Sequence, residues 1–427
     1  MAGKIKEIEQ TDYEREVLAK PLAVVDFYST ECPPCEALAS KYTALSEIYG
    51  DDVVFVKIFR QGNRELAEKL DVTGSPTVLF YKDGKLTGDK LAGGILRSDI
   101  MRNLDALVGA DRAEELHKLI KPVQTETDVV ILGGGPAGLT AGVYLTQAHV
   151  DTILVDTALP GGYVATTHLV SNYPGFIEPQ NGYMLSHYMS EQAKANGIKL
   201  RAAVEVNDVD LKSRTVKIDG FETIKAKKVI IATGSRPRPL GVPGEEEYRG
   251  NGISYCATCD AKYFQDKDVV IIGGGNSAIE EALFIAKFAG KITIVHQFDH
   301  FQANKEAQKK LLAMDSVEVL WEHEPREFKK HGSSDMGVVV EHLPTGERKE
   351  VRTNGIFVFV GFIPNIEAFD KSLELDQWGY LKTDAEMRTN IKDVFAAGDV
   401  TSKQYRQITT AVSDGTIAGI AAGKELE

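Results

Sequence analysis

The chain has 427 residues, 43% of them hydrophobic and 26% charged, with a formal net charge of −13. That length suits two to four domains with ordinary cores, and the acidic balance argues against a nucleic-acid partner, which would need clustered Lys and Arg. The first twenty residues are too polar for a secretory signal, and no apolar run approaches the ~18 residues that span a bilayer, so a cytoplasmic protein without membrane contact is expected.

In chain order, "LAVVDFYS" and "VVFVKIF" are apolar, β-branched runs of strand length, and "CEALASKYTALSEIYG" has helical spacing ending at Gly50. "TVLFYKDGKLTGDKLAG" predicts a hairpin turning at Asp83-Gly84, and a helix follows Ser98. This α/β unit closes near residue 108. Residues 109–126 are expected to be a connector, a short charged helix ended by Lys121-Pro122. Beyond it, 128–145 and 268–285 repeat one pattern: apolar strand, glycine-rich turn, amphipathic helix. Two nucleotide-binding α/β lobes of Rossmann type are predicted, with the second (241–354) inserted into the first (127–240 and 355–427).

The four cysteines form two Cys-x-x-Cys pairs, Cys32/Cys35 and Cys256/Cys259. A zinc ribbon brings its pairs within roughly 15–20 residues. Here more than two hundred residues intervene, so redox chemistry is expected and no metal.

"VVDFYSTECPPCEAL" places Cys32 where a strand ends and a helix begins, where the helix dipole favours thiolate and makes Cys32 the attacking sulfur. Cys35, one turn on, can resolve a mixed disulfide. Asp26, in an otherwise apolar strand, is the candidate for proton transfer at Cys35, and Ser75-Pro76 predicts a cis-proline turn facing the pair. With Gly93 in "KLAGG", these residues give the segment a resemblance to thioredoxin over its whole length. It departs at Glu31, where thioredoxins carry tryptophan, and in enclosing Pro-Pro rather than Gly-Pro.

"GGGPAG" follows a strand, opens a helix, and is trailed by Asp156 at the next strand end; together these are a dinucleotide fingerprint, with the carboxylate on ribose hydroxyls. In "VFAAGDV", Asp399 on a turn would bind a ribitol or phosphate-linked hydroxyl. "SYCATCDA" supplies the second dithiol. With "NYPG", "GGGNSAIEEA", "AAGDV" and "YRQ", residues 126–427 resemble the low-molecular-weight thioredoxin reductases. The resemblance implies a homodimer and FAD held by Gly133, Gly135, Pro136, Ala137, Gly138, Asp156, Gly161, Gly162, Tyr163, Asn172, Gly398, Asp399, Arg406, Gln407 and Ile408. It also implies that Cys259 is the thiol nearest the flavin, Cys256 the attacker of external disulfides and Asp260 the proton carrier, with the central lobe rotating between partners. Tyr163 is a departure, since the family has Gln there, and packing is favoured over stacking on a ring.

The second turn, with Gly273, Gly275, Asn276, Ser277 and Glu280, predicts a pyrophosphate cradle at a helix N-terminus. In the resembled family the following strand ends His-Arg-Arg, with another Arg beyond. This chain reads "IVHQFDHFQA", with Gln297, Phe298 and Gln302 at the arginine positions. Each lost bond to a charged group costs ~1.5–3 kcal/mol, so NADPH is disfavoured. NADH ranks first as donor, although an NADH site prefers a carboxylate where His296 stands; Asp299 could substitute from the loop. Ferredoxin or another carrier acting on the flavin, or a second flavin stacked on Phe298, are the alternatives.

The function expected is an FAD-dependent disulfide reductase carrying its own thioredoxin. Electrons would pass from donor to FAD, to Cys256/Cys259, to Cys32/Cys35, and out to external protein disulfides. A peroxiredoxin-reducing flavoprotein is a variant of this, and a non-catalytic redox sensor is the reading from another class.

Overall fold

A computed structural model describes residues 5–167, 170, 172–332 and 335–427. Its first domain is a five-stranded mixed sheet ordered Ile5–Glu7, Val54–Phe59, Leu22–Tyr28, Thr77–Lys82, Lys85–Ala92. The central strand Leu22–Tyr28 is buried on both faces, so Val24 feeds one core with Tyr42, Phe55 and Phe80 while Val25 feeds the other with Val56 and Ile58. The hairpin turns at Asp83 (φ 49°) and Gly84 (φ 73°), as the Asp-Gly pair requires.

The connector expected at 109–126 is mostly built into its neighbours. Helix Ala110–His117 packs Leu116 into the first core beside Tyr49 and Leu107, and Arg112 pairs with Asp52 at 3.0 Å. Strand Val123–Leu132 then begins the next sheet. Only residues 118–122 lie between the two.

The first lobe is a seven-stranded sheet whose parallel part runs Lys199–Ala202, Thr152–Asp156, Val123–Leu132, Glu222–Ile231, closed by Val394–Ala396 from the far end of the chain. The C-terminal helix Ile408–Lys424 lies so close to Pro136–Gln147 that a Cβ at Gly415 would meet the Ala137 carbonyl oxygen at 2.2 Å. The inserted lobe is a parallel sheet ordered Ile253–Ser254, Gly355–Val358, Asp268–Ile272, Lys291–His296, Val317–Trp321. Gly355–Val358 thus extends this lobe past the expected boundary at 354, because its four buried residues pair in register with Val269–Ile272. The chain crosses back at Phe362–Pro364, which pairs with Ser235–Pro237 as a two-stranded ribbon between the lobes.

The first domain rests on the first lobe. Glu36 pairs with Lys194 at 2.7 Å, Arg97 stacks on the Phe221 ring at 4.3 Å, and Lys41 reaches the carbonyls of Ala202 and Ala203. A cavity of about 500 Å³ lies in this interface. Among the described residues, no hydrogen bond or ion pair joins the first domain to the inserted lobe, and no helix is long and apolar enough to cross a membrane.

Candidate redox and dinucleotide sites

Both cysteine pairs are closed as disulfides, and both are built alike. Cys32 caps helix Pro33–Tyr49, with the Cys35 N–H 3.3 Å from its Sγ. Cys256 caps the single turn Ala257–Asp260, with the Cys259 N–H 3.2 Å from its Sγ. A helix N-terminus stabilises thiolate in each, and the i, i+3 spacing places the second sulfur within reach of the first. Among the described residues no group of three or more His, Cys, Asp or Glu could hold a metal ion.

Around the first pair, the Ser75–Pro76 bond is cis and Cys32 Sγ lies 3.6 Å from the Ser75 carbonyl oxygen. Ser29 and Arg60, neither singled out from sequence, both donate to Ser75 Oγ, at 2.7 and 3.0 Å, and orient that turn. Asp26 is 1% exposed, its Oδ1 has no partner among the described residues, and burial pushes its carboxyl up to about 7 against the pull of Lys57 at 4.0 Å. It is therefore poised to exchange a proton near neutrality.

The second pair faces the first lobe. Cys256 Sγ lies 3.6 Å from the Thr166 carbonyl oxygen, and Ser254 Oγ bonds both the N–H and the carbonyl of Cys256 at 3.1 Å. Asp260 is half-buried at the end of the same turn. Tyr163 packs edge-on against Phe362 at 5.1 Å, with its hydroxyl 3.5 Å from the Tyr255 carbonyl oxygen. It bridges the lobes by packing. Glu281 lines the small cavity beside it with Ser277 and Tyr255, and burial together with the charge of Glu280 pushes its carboxyl up to about 7. Glu280 itself is exposed, so of the two glutamates in "IEEA" the inward one is the residue sequence did not single out.

In the first turn, Gly133 (φ 108°) runs so near the Ala232 carbonyl that a Cβ would sit 2.3 Å from its oxygen, and Gly138 lies against the Gly133 carbonyl at 1.9 Å by the same measure. Asp156 accepts from Gly134 N at 2.6 Å and from Ala158 N at 2.8 Å. Burial raises its carboxyl to about 6, and these two bonds oppose the rise. Helix Pro136–Gln147 opens at Gly135, whose Cβ position is clear to 3.8 Å, where Gly162 stands. Asn172 Nδ2 donates to Gln407 Oε1 at 3.1 Å, joining two predicted flavin residues 235 apart. Arg406 stacks on Tyr380 at 3.6 Å and donates to the Thr401 carbonyl, while Ile408 starts the last helix. Gly398 holds φ 81°, and the buried Asp399 Oδ1 is paired with Lys403 Nζ at 3.4 Å, a long contact outside hydrogen-bonding geometry. A helix N-terminus opening at Gly135, the strand-end carboxylate of Asp156 against the glycine turn, and Asp399 beside it make a polar cradle that fits a hydroxyl-rich dinucleotide. These residues fit FAD.

The second turn is furnished differently. Gly273 (φ 125°) repeats the tight approach, its Cβ position 2.2 Å from the Phe359 carbonyl oxygen, and Gly275 is open, with nothing within 4 Å. His296 is buried with its ring over Gly274; Nε2 donates to the His300 carbonyl at 3.0 Å, and burial lowers its pKa. Phe298, Phe301 and Trp321 surround that ring. The loop after it folds back, with Gln302 N donating to the Gly274 carbonyl and Asn304 N to Asn276 Oδ1. Asp299, offered from sequence as a substitute carboxylate, has a 77% exposed side chain and pairs with His300 at 2.6 Å. Gln297 is exposed. The strand end thus presents a neutral imidazole, with neither carboxylate nor cation.

The family described as pyridine nucleotide-disulphide oxidoreductase matches residues 127–415, and the thioredoxin family matches residues 4–106. The thioredoxin reductase of Peptoclostridium acidaminophilum is 43% identical over 307 residues, covering 70% of this chain and 97% of that protein. That of Bacillus subtilis is 39% identical over 291 residues, 68% of this chain and 92% of the relative. The crystal structure of Lactococcus lactis thioredoxin reductase in its FR conformation superposes with a TM-score of 0.66 at 38% identity, over 70% of this chain and 98% of that one. With two helix-capping dithiols and a furnished dinucleotide cradle, the chain belongs to the pyridine nucleotide-disulphide oxidoreductase family, as a thioredoxin-reductase-like, flavin-dependent disulfide oxidoreductase that carries a thioredoxin domain.

Proposed function

We propose that this chain is a self-contained reductase relay, in which Cys256/Cys259 reduce the Cys32/Cys35 disulfide and the thioredoxin domain passes the electrons to external protein disulfides. The observation that carries the proposal is the pairing of two like-built dithiols in one chain, with the second held 3.6 Å from Thr166 of the flavin lobe. FAD held by the first lobe would supply the two reducing equivalents that the Cys256–Cys259 pair carries onward. The rest is thiol chemistry. The Cys256 thiolate attacks Cys32 Sγ, forming a Cys256–Cys32 bond and releasing Cys35 as thiolate, which takes a proton from the Asp26 side. The Cys259 thiolate then attacks Cys256 Sγ, closing the lobe disulfide and freeing Cys32. Asp260 is assigned the proton traffic at Cys259. Tethering sets the local concentration of the partner at roughly millimolar. We assign the exchange to a second arrangement, in which the thioredoxin domain leaves its contact on the first lobe and meets the inserted lobe.

The donor we assign is NADH rather than NADPH: the loop after His296 lacks every arginine of a 2′-phosphate clamp, and Gly275 leaves room for a pyrophosphate. A second reading has one observation in its favour. The loop folded onto the turn, together with the imidazole where a ribose carboxylate belongs, favours a reduced carrier of ferredoxin type acting directly on the flavin. We assign a homodimer in the cytoplasm, with a peroxiredoxin as one candidate acceptor. Anaerobic bleaching of the flavin by NADH, NADPH or reduced ferredoxin, in separate cuvettes, tests the donor. In the relay, the Cys35→Ser/Cys259→Ser double variant holds only the Cys32 and Cys256 thiols and should join them as a Cys32–Cys256 disulfide when one is first activated by a small disulfide oxidant such as DTNB; absence of that cross-link after such activation refutes the internal transfer.

A further inference from the structure

The contact between thioredoxin domain and first lobe is aimed at one place. Lys41, on helix Pro33–Tyr49, is 7% exposed and gives its ammonium to three carbonyls: Ile95 of its own domain, and Ala202 and Ala203 of the lobe, at 3.1, 3.1 and 2.5 Å. A buried cation saturated by backbone oxygens from two domains is a built contact, because an unpaired one would be costly. Ala203 is a non-glycine residue at φ 52°, a left-handed conformation that persists only where neighbours enforce it. From Ala203 a chain of bonds runs inward. Its N–H donates to the Ala158 carbonyl at 3.0 Å; the Ala158 N–H donates to Asp156 Oδ1 at 2.8 Å; Asp156 Oδ2 accepts from Gly134 at 2.6 Å. The next residue, Val204, donates to the Asp156 carbonyl at 3.2 Å. The stretch after Asp156 also touches the thioredoxin domain, Gly94 standing 3.8 Å from Leu159 by its Cβ position. Arg97, 3% exposed on Phe221, anchors the far side of the same contact.

We propose that the docked thioredoxin domain is part of the FAD-binding apparatus. Lys41 is a positioning residue: it holds the 202–203 turn, which holds residue 158, which holds the ribose-binding carboxylate Asp156. Docking and flavin binding are then coupled, and by linkage each strengthens the other by the same factor. The inference rests on the reading of the first lobe as the FAD site. It gives the fused domain a role while docked, before any electron moves.

The test uses the full chain stripped of flavin and titrated with FAD, read by flavin fluorescence. Lys41→Met keeps the aliphatic stem and removes the ammonium. The expected result is a rise in the FAD Kd of roughly 5- to 30-fold, within the usual range of such couplings. Reciprocally, FAD should slow amide exchange in residues 95–104 of the thioredoxin domain in the wild type, and slow it less in the variant. Arg97→Gln, should Lys41→Met fail to fold, is expected to weaken FAD binding in the same direction. Unchanged FAD affinity in the variant that folds, or no effect of FAD on exchange at 95–104, overturns the proposal while leaving the flavin site intact. Failure of the wild-type chain to bind FAD at all would instead overturn the reading of the lobe.

Discussion

At Gly134 the first glycine-rich turn gives its N–H to a carboxylate, Asp156, at 2.6 Å; at Gly274 the second lies beneath an imidazole, His296, whose own N–H is spent on the His300 carbonyl. The two turns share their backbone logic. Each opens with a glycine at φ above 100°, pressed against a carbonyl of the neighbouring strand, and each ends at a helix N-terminus. The difference lies in what the next strand delivers to the middle glycine. A backbone cradle recognises phosphate through N–H groups that every residue type supplies, whereas the strand-end side chain selects the sugar. The first lobe carries both features, a glycine cradle and a strand-end carboxylate turned to it, and the second carries only the cradle.

The sharpest way to break the comparison is at the third glycine position. Gly138 fills it in the first lobe and Ala278 in the second. A Cβ at Gly138 would stand 1.9 Å from the Gly133 carbonyl oxygen, so Gly138→Ala should cost at least ~3 kcal/mol, as overpacking against backbone does, and yield protein without flavin. Ala278→Gly should cost only about 1 kcal/mol, the helix propensity difference. Thermal unfolding and the flavin absorbance of the purified chains check both. Equal effects would mean the lobes are not packed differently.

Next in size is the carboxylate. Asp156→Asn should raise the FAD Kd by ~10- to 100-fold, since a charged acceptor is replaced by a neutral one. The wild type should show a matching pH dependence. Its apo carboxyl is held up to about 6 by burial, so FAD affinity should fall below pH 6 and be flat above it. For the apo lobe the sign follows the same shift. The folded state keeps the proton to a higher pH than the unfolded chain does, so this group's contribution to stability declines as pH rises from about 4 to about 6. Asn should abolish both slopes. The imidazole of the second lobe, whose pKa burial lowers, adds a stability slope of the opposite sign, lost as pH falls below its unfolded value, and leaves FAD affinity in the first lobe alone.

These contrasts also mark how far the sequence was legible. The two turns, the two dithiols, Asp26, Pro76, Asp156 and Asp399 could be named because each is a residue type at a fixed spacing from a predicted element. The bonds from Asp299 to His300 and from His296 to the His300 carbonyl could not, since a loop's hydrogen bonds are chosen among near-equal local partners. Lys41 and Ala203 were invisible for the opposite reason: they lie 162 residues apart and meet only once both domains are folded. The boundary after 354 moved because an apolar strand in sequence does not say which of two sheets it joins.

A moderate effect is expected from His296→Glu, which puts a carboxylate where the first lobe has one. If Gly274 N–H turns to it as Gly134 does to Asp156, the KM for NADH should drop about tenfold. Loss of the packing among Phe298, Phe301 and Trp321 should cost about 1–2 kcal/mol. Steady-state kinetics and a melting curve separate the two. An unchanged KM would mean that the strand end is not where the donor's ribose lies.

The smallest structural effect belongs to the change that says most about the donor. Gly275 stands in open space, extended and at the N-cap of helix Asn276–Ile285. Gly275→Ala should therefore alter stability by well under ~1 kcal/mol, the usual difference between Gly and Ala at such a cap. Yet a pyrophosphate crossing that helix N-terminus needs the backbone within hydrogen-bonding distance, and a methyl group there keeps it away. If NADH feeds the flavin through this cradle, flavin bleaching by NADH should slow at least tenfold in a variant that melts with the wild type. If bleaching by NADH is unaffected, the cradle is not on the path of electrons, and the second lobe serves to carry Cys256 and Cys259 rather than to bind a nucleotide.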